Sequence, residues 1–220
     1  MTPNQITGAR VAAGFAAVAL FTLLGRIVAA DLVAVGLTIT AIALDGLDGY
    51  IARTRGLSSP LGAQLDILGD RIIENLFFTF FAVSGLISIW VPILFFVRGT
   101  LTDFVRGLAA QAGRTGFGRD GMLQSRWTRA LAASRASRGS YAVLKCVSFC
   151  YLGLLLPLRQ MPDVWPEANL RAWLFGSGHA LVAAAAVFCI LRALPVLWEG
   201  RRYVTGLRNP APPVVLEAGR

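Results

Sequence analysis

Four aspartates, Asp45, Asp48, Asp66 and Asp70, stand close together in an otherwise strongly apolar chain. Asp45 and Asp48 are three residues apart, and Asp66 and Asp70 four apart, so on helices each pair presents both carboxylates from one face. Two such helices side by side bring four acids to one place. An ionised side chain near the bilayer centre costs about 2.5 to 3.5 kcal/mol on insertion scales, so a cluster of acids here calls for a function. Their mutual repulsion grows as they approach unless cations sit between them. Two divalent ions carry the charge of four carboxylates, and ligation by oxygen alone suits Mg2+ or Mn2+. A two-metal site is the economical reading.

The elements that hold these acids must lie in a membrane. The chain has 220 residues, is 55% hydrophobic and has a mean hydropathy of +0.62. Six apolar stretches, 10–24, 29–47, 61–90, 91–112, 139–158 and 170–198, are read as spans of a hydrocarbon core about 30 Å thick. The expected fold is all-α: six transmembrane helices and a short N-terminal surface helix opened by Pro3 and Asn4. One membrane domain is expected over 1–205, followed by a proline-rich tail over 206–220 without span potential. Residues 54–60, with Gly56, Ser58, Ser59 and Pro60, form the loop between the two acidic helices, and Pro60 can open the second.

A net charge of +9 raises the question of nucleic acid, but the cations lie between apolar spans, so no nucleic-acid partner is expected. With both termini inside, the inner segments hold Arg10, Arg53, Arg55, the arginines of 113–138, Arg201, Arg202, Arg208 and Arg220. The outer side holds Arg26, Arg159 and Arg171. The positive-inside rule therefore puts the acids at the cytoplasmic face of a cell membrane, read as a bacterial inner membrane. The six arginines of 113–138 face Asp120 alone and are expected to contact anionic headgroups of membrane lipids. Cys146, Cys150 and Cys189 fall within spans, where reduced thiols pack as small apolar groups. His179 lies beside Gly176, Ser177 and Gly178 and is read as a helix-packing contact.

Read as a pattern, the acidic segment is D-x2-D-G-x2-A-R-x8-G-x3-D-x3-D, filled by Asp45, Asp48, Gly49, Ala52, Arg53, Gly62, Asp66 and Asp70. It resembles the signature of the CDP-alcohol phosphotransferases, integral membrane enzymes of phospholipid synthesis. The resemblance implies transfer of a phosphatidyl group from CDP-diacylglycerol to an alcohol, with release of CMP, in a homodimer. It also implies that Asp45, Asp48, Asp66 and Asp70 are metal ligands, with Asp70 at the second metal and serving as general base. Gly49, Ala52 and Gly62 lack bulk, so a nucleotide can approach the backbone, and the planar fork of Arg53 can pair with a phosphate oxygen. Members of this family carry an asparagine, threonine and arginine pattern near the N-terminus, here Asn4, Thr7 and Arg10, which share one helical face and stand as candidate contacts for nucleotide or headgroup.

For the acceptor, Arg98, Thr102 and Arg106 repeat every four residues, and Arg138, Tyr141 and Lys145 line one helical face. Intramembrane cations facing a cavity are functional candidates, and these are expected to hold an anionic acceptor, a polyol phosphate such as glycerol 3-phosphate or inositol phosphate. Snorkelling to headgroups and an Asp103 to Arg106 pair are the structural alternative. Neutral alcohols such as serine, inositol or choline remain open as acceptors. A transporter with an acidic cation site is the rival class, but permeation needs acids spread along a pathway, whereas here they crowd one end. Arg71 with Glu74 is read as an i,i+3 helix pair.

Overall fold

The structure, a computed structural model, describes residues 3–24, 27–54, 60–114, 121–160 and 168–206, and among these it is all-α with no strand. Six long helices run α1 Pro3–Leu23, α2 Val28–Thr54, α3 Pro60–Val83, α4 Trp90–Gln111, α6 Arg135–Gln160 and α7 Ala168–Gly206. Between α4 and α6 a short turn, α5 Arg126–Thr128, continues as a π-helical turn Arg129–Ala133. Residues 207–220 of the expected tail lie outside the described residues.

Helices Asn4–Leu23, Arg126–Arg159 and Ala168–Thr205 are long and apolar enough to cross a membrane, and the apolar part of α2, Val28–Leu44, is shorter. Charge interrupts the rest: α3 carries Asp66, Asp70, Arg71 and Glu74, and α4 carries Arg98, Asp103 and Arg106. The expected short surface helix does not stand apart, because α1 is one helix from Pro3 onward. Its alanine-rich sequence contains no proline after Pro3, so nothing breaks the helix before Leu23.

The stretch 61–90, expected as one span, ends earlier, at Val83. Gly85, at φ 70°, takes the left-handed position that a residue with a Cβ resists. Around it the Gly85 N–H donates to the Ala82 carbonyl at 2.9 Å and the Leu86 N–H to the Phe81 carbonyl at 2.9 Å, a Schellman stop. Pro60 opens α3 as expected. Helix α6 begins at Arg135, ahead of the expected span, since Ser134 caps it by accepting from the Ser137 N–H at 3.1 Å.

The chain divides into two compact units, one formed by Met1–Gly99 with Gly139–Cys189 and the other by Thr100–Arg138 with Ile190–Arg220. In the first, α1 packs on α2 and α3. Its core is rich in phenylalanine: Phe77, Phe78, Phe80 and Phe81 of α3 are buried with Phe21, Phe95 and Phe149. The Phe78 ring lies 4.2 Å from Phe95 and 4.8 Å from Phe149 between centroids, and Phe21 stacks on Phe80 at 5.4 Å. Asp31, in the first turn of α2, is 1% exposed, and neither carboxylate oxygen has a hydrogen-bond partner among the described residues; the positive end of the helix dipole favours its charge there.

In the second unit, Val105, Ala109, Met122, Leu123, Ala132 and Val196 form a small apolar cluster. Glu199 accepts from the Gln124 N–H at 2.5 Å, the Ser125 N–H at 3.2 Å and the Thr128 hydroxyl at 2.5 Å. Arg192 donates to the Ser137 and Ala132 carbonyls at 2.9 and 3.2 Å. Part of the basic segment is thereby tied to α7, while Arg126, Trp127 and Arg129 stay exposed.

Candidate active site

The C-terminal half of α2 carries Asp45, Asp48, Gly49, Ala52 and Arg53 on helical backbone, and their side chains lie outside the described residues. Helix α3 carries Asp66 and Asp70 one turn apart, with both side chains half-exposed. Arg10 of α1, 1% exposed, reaches this pair. Its Nη1 donates to Asp70 Oδ1 at 3.3 Å, and its Nη2 donates to the Asp66 carbonyl at 3.2 Å and lies 3.5 Å from Asp66 Oδ1. Two carboxylates thus share one guanidinium, which offsets the repulsion between them.

Gly69 admits that guanidinium. A Cβ built there would lie 2.5 Å from Arg10 Nη2 and 2.9 Å from Thr7 Cγ2, so α1 rests directly on the α3 backbone between the two acids. Thr7 is buried at this contact and Asn4 is exposed. Gly62 lies one turn before Asp66, half-buried.

One turn past Asp70, Glu74 is 2% exposed and gathers cations from three helices. Arg71 Nη1 of α3 and Arg98 Nη2 of α4 each lie 3.3 Å from its Oε1, and Lys145 Nζ of α6 lies 2.6 Å from its Oε2. Arg98 also donates from Nη2 to the Tyr141 hydroxyl at 2.6 Å and from Nε to the Cys189 sulfur at 2.8 Å. Lys145 Nζ sits 4.9 Å from the Tyr141 ring centroid, within cation–π range. Asp70, Glu74, Arg10, Lys145 and Cys146 all line one pocket of about 70 Å³. A potential metal ligand, a carboxylate one turn on, and two cations therefore share a single cavity.

Of the residues expected at the acceptor, Arg98, Tyr141 and Lys145 come together here. Arg106 and Arg138 belong to the second unit, where Arg106 Nη1 lies 3.5 Å from Asp103 Oδ1, the pair anticipated from the sequence. Arg10, expected with Asn4 and Thr7 as a nucleotide or headgroup contact, directs its guanidinium at Asp66 and Asp70. Glu74, expected as a helix partner of Arg71 or as an extension of the metal site beside Asp70, does pair with Arg71, while Arg98 and Lys145 come from 24 and 71 residues further along, where no local signal marks them.

Among the described residues no three potential metal ligands are gathered, and the side chains of Asp45 and Asp48 lie outside that set. The donor set itself fits a hard divalent cation: oxygen ligands alone, with Asp66 and Asp70 on one face and already drawing a positive group between them.

No curated protein matches the chain. The sequence model of CDP-alcohol phosphatidyltransferases matches residues 1–161, which takes in α1 through α6 and so every residue of the acid segment and of the Glu74 cluster except Cys189. That family consists of membrane-embedded transferases of phospholipid synthesis that work with divalent metal ions, and the chain belongs to it.

Proposed function

We propose that the protein moves the phosphatidyl group of CDP-diacylglycerol to the hydroxyl of a small polyol phosphate, releasing CMP, at the cytoplasmic face of a bacterial inner membrane. Family membership supplies the reaction class, phosphatidyl transfer from a CDP-alcohol to an alcohol. The observation that carries the finer reading is that Asp70 and Lys145 line one pocket, with Glu74, Arg98 and Tyr141 built around the lysine. A proton acceptor and an anion-binding cation lining one pocket suit an acceptor with a hydroxyl at one end and a phosphate at the other.

Asp45, Asp48, Asp66 and Asp70 would hold the two cations, either Mg2+ or Mn2+, which when bound neutralise the diphosphate and the leaving CMP oxygen. Gly49, Ala52 and Gly62 leave room for the nucleotide, with Asn4 and Thr7 on the α1 face above, and Arg53 pairs with a phosphate oxygen. Asp70 accepts the acceptor's hydroxyl proton as the new P–O bond forms on the phosphatidyl phosphorus. The bond from that phosphorus to the bridging oxygen breaks, and the oxygen leaves with CMP. Lys145, backed by Arg98, binds the acceptor phosphate. The arginine distribution supports the cytoplasmic orientation. Homodimerisation follows the resemblance.

The test is an acceptor panel. Purified protein with CDP-diacylglycerol and a divalent cation is given glycerol 3-phosphate, inositol phosphate, serine, inositol or choline, and CMP and lipid product are measured. Preference for a phosphorylated polyol is expected. Preference for serine, inositol or choline would overturn the acceptor assignment and leave the transferase chemistry standing.

A further inference from the structure

We infer that Glu74 is a positioning residue of the acceptor pocket, a buried template that holds Lys145, backed by Arg98, against the pocket wall beside Asp70. The inference rests on the anionic-acceptor reading above. Three cations drawn together inside a membrane protein repel one another, and a lysine with a four-carbon stem is free to swing toward water or headgroups when nothing retains it. Glu74 retains it. The carboxylate is 2% exposed, and its two oxygens are divided, Oε2 taking Lys145 and Oε1 taking Arg71 and Arg98. Arg98 is in turn fixed by Tyr141 and Cys189, so the oxygen facing it has little freedom to turn.

The division of labour follows from donor geometry. Arg98 donates to the carboxylate, the Tyr141 hydroxyl and the Cys189 sulfur, and so builds the wall. Lys145 lines the pocket itself and directs one of its three donors to Glu74, which leaves the ammonium able to meet a ligand oxygen in the same cavity. Glu74 lies one turn after Asp70 on α3, so the helix sets the spacing between the base and the cation that Glu74 anchors. An acceptor is then gripped at its phosphate while its hydroxyl is presented to Asp70.

A counter-anion that merely competed with the ligand would act in the opposite sense, because its removal would strengthen anion binding. The two roles are separated by titrating the full-length protein in detergent with inorganic phosphate by calorimetry, as wild type, Glu74→Gln, Glu74→Asp, Lys145→Gln and the Glu74→Gln/Lys145→Gln pair. Glu74→Gln and Lys145→Gln should each weaken phosphate binding by about tenfold or more, as expected for loss of a charge-assisted contact. The double variant should weaken it no further, because both changes remove the same contact. Glu74→Asp, which keeps the charge on a shorter stem, should fall between wild type and Glu74→Gln, and it carries the test if Glu74→Gln does not fold. In turnover with glycerol 3-phosphate, Glu74→Gln should raise the acceptor KM and leave the donor KM unchanged.

Phosphate binding by Glu74→Gln as tight as or tighter than wild type overturns the inference. So does a wild type that binds no phosphate, or a Glu74→Gln variant whose donor and acceptor KM rise together. If the wild type releases no CMP from CDP-diacylglycerol yet the phosphate affinities follow the expected pattern, the transferase reading fails and the role of Glu74 stands.

Discussion

Asp66 and Asp70 are two copies of one side chain on one face of α3, and their roles are separable. Asp66→Asn removes charge from the proposed metal site, so Mg2+ or Mn2+ affinity measured by calorimetry should fall together with turnover. Asp70→Asn removes the proposed proton acceptor as well, so turnover at saturating acceptor should drop about 100- to 10,000-fold while donor binding persists. Near-normal turnover in Asp70→Asn would show that another group takes the proton. The pairing of Asp66 with Asp70 was legible in the sequence because it is local: the two lie four residues apart on α3, and the spacing alone puts their carboxylates on one face. The surroundings were not legible, because Arg10 reaches Asp66 and Asp70 from 56 and 60 residues away and Lys145 reaches Glu74 from 71 away. Such pairings depend on which helices pack together, which spacing along one helix does not encode.

At the scale of elements, the approach of α1 to α3 fixes where Arg10 can reach. Gly69→Ala would place a Cβ 2.5 Å from Arg10 Nη2 and 2.9 Å from Thr7 Cγ2, so the guanidinium must leave its seat or the helices must part. Overpacking of this kind costs about 1 to 3 kcal/mol, and thermal unfolding in detergent should show that loss together with altered metal affinity. Unchanged stability and metal affinity would mean that Arg10 relaxes without consequence. In the second unit, Glu199 holds two backbone N–H groups and the Thr128 hydroxyl. Glu199→Gln should therefore speed amide hydrogen exchange at Gln124 and Ser125 and leave exchange in the phenylalanine core unchanged. Helix existence was readable from apolar runs and from Pro60. The end of α3 was not, because the apolar run continues to Trp90 while a single glycine, Gly85, stops the helix. The basic segment read as a loop for a related reason: its anchor, Glu199, lies more than seventy residues further on.

For the whole molecule, charge distribution and reaction must agree on one side of the membrane. A cysteine introduced at Gly118, within the arginine-rich segment, should react with a membrane-impermeant reagent only after cells are opened, and labelling of intact cells would reverse the orientation. Among the described residues three helices announce a membrane by apolarity alone, whereas α3 and α4 are too charged to do so, and of those charges Asp66, Asp70, Arg71, Glu74 and Arg98 gather at the candidate site. The most direct test of the central claim follows both products at once. Purified wild type, Asp45→Asn and Asp66→Asn are incubated with CDP-diacylglycerol and glycerol 3-phosphate or inositol phosphate, with a chelator or with Mg2+ or Mn2+, while CMP and phosphatidyl product are quantified together. The account predicts equal amounts of CMP and phosphatidyl product from wild type with a divalent cation, and neither from the chelated enzyme or the two variants. Undiminished turnover in chelator or in both variants, or CMP without a phosphatidylated acceptor, would contradict it.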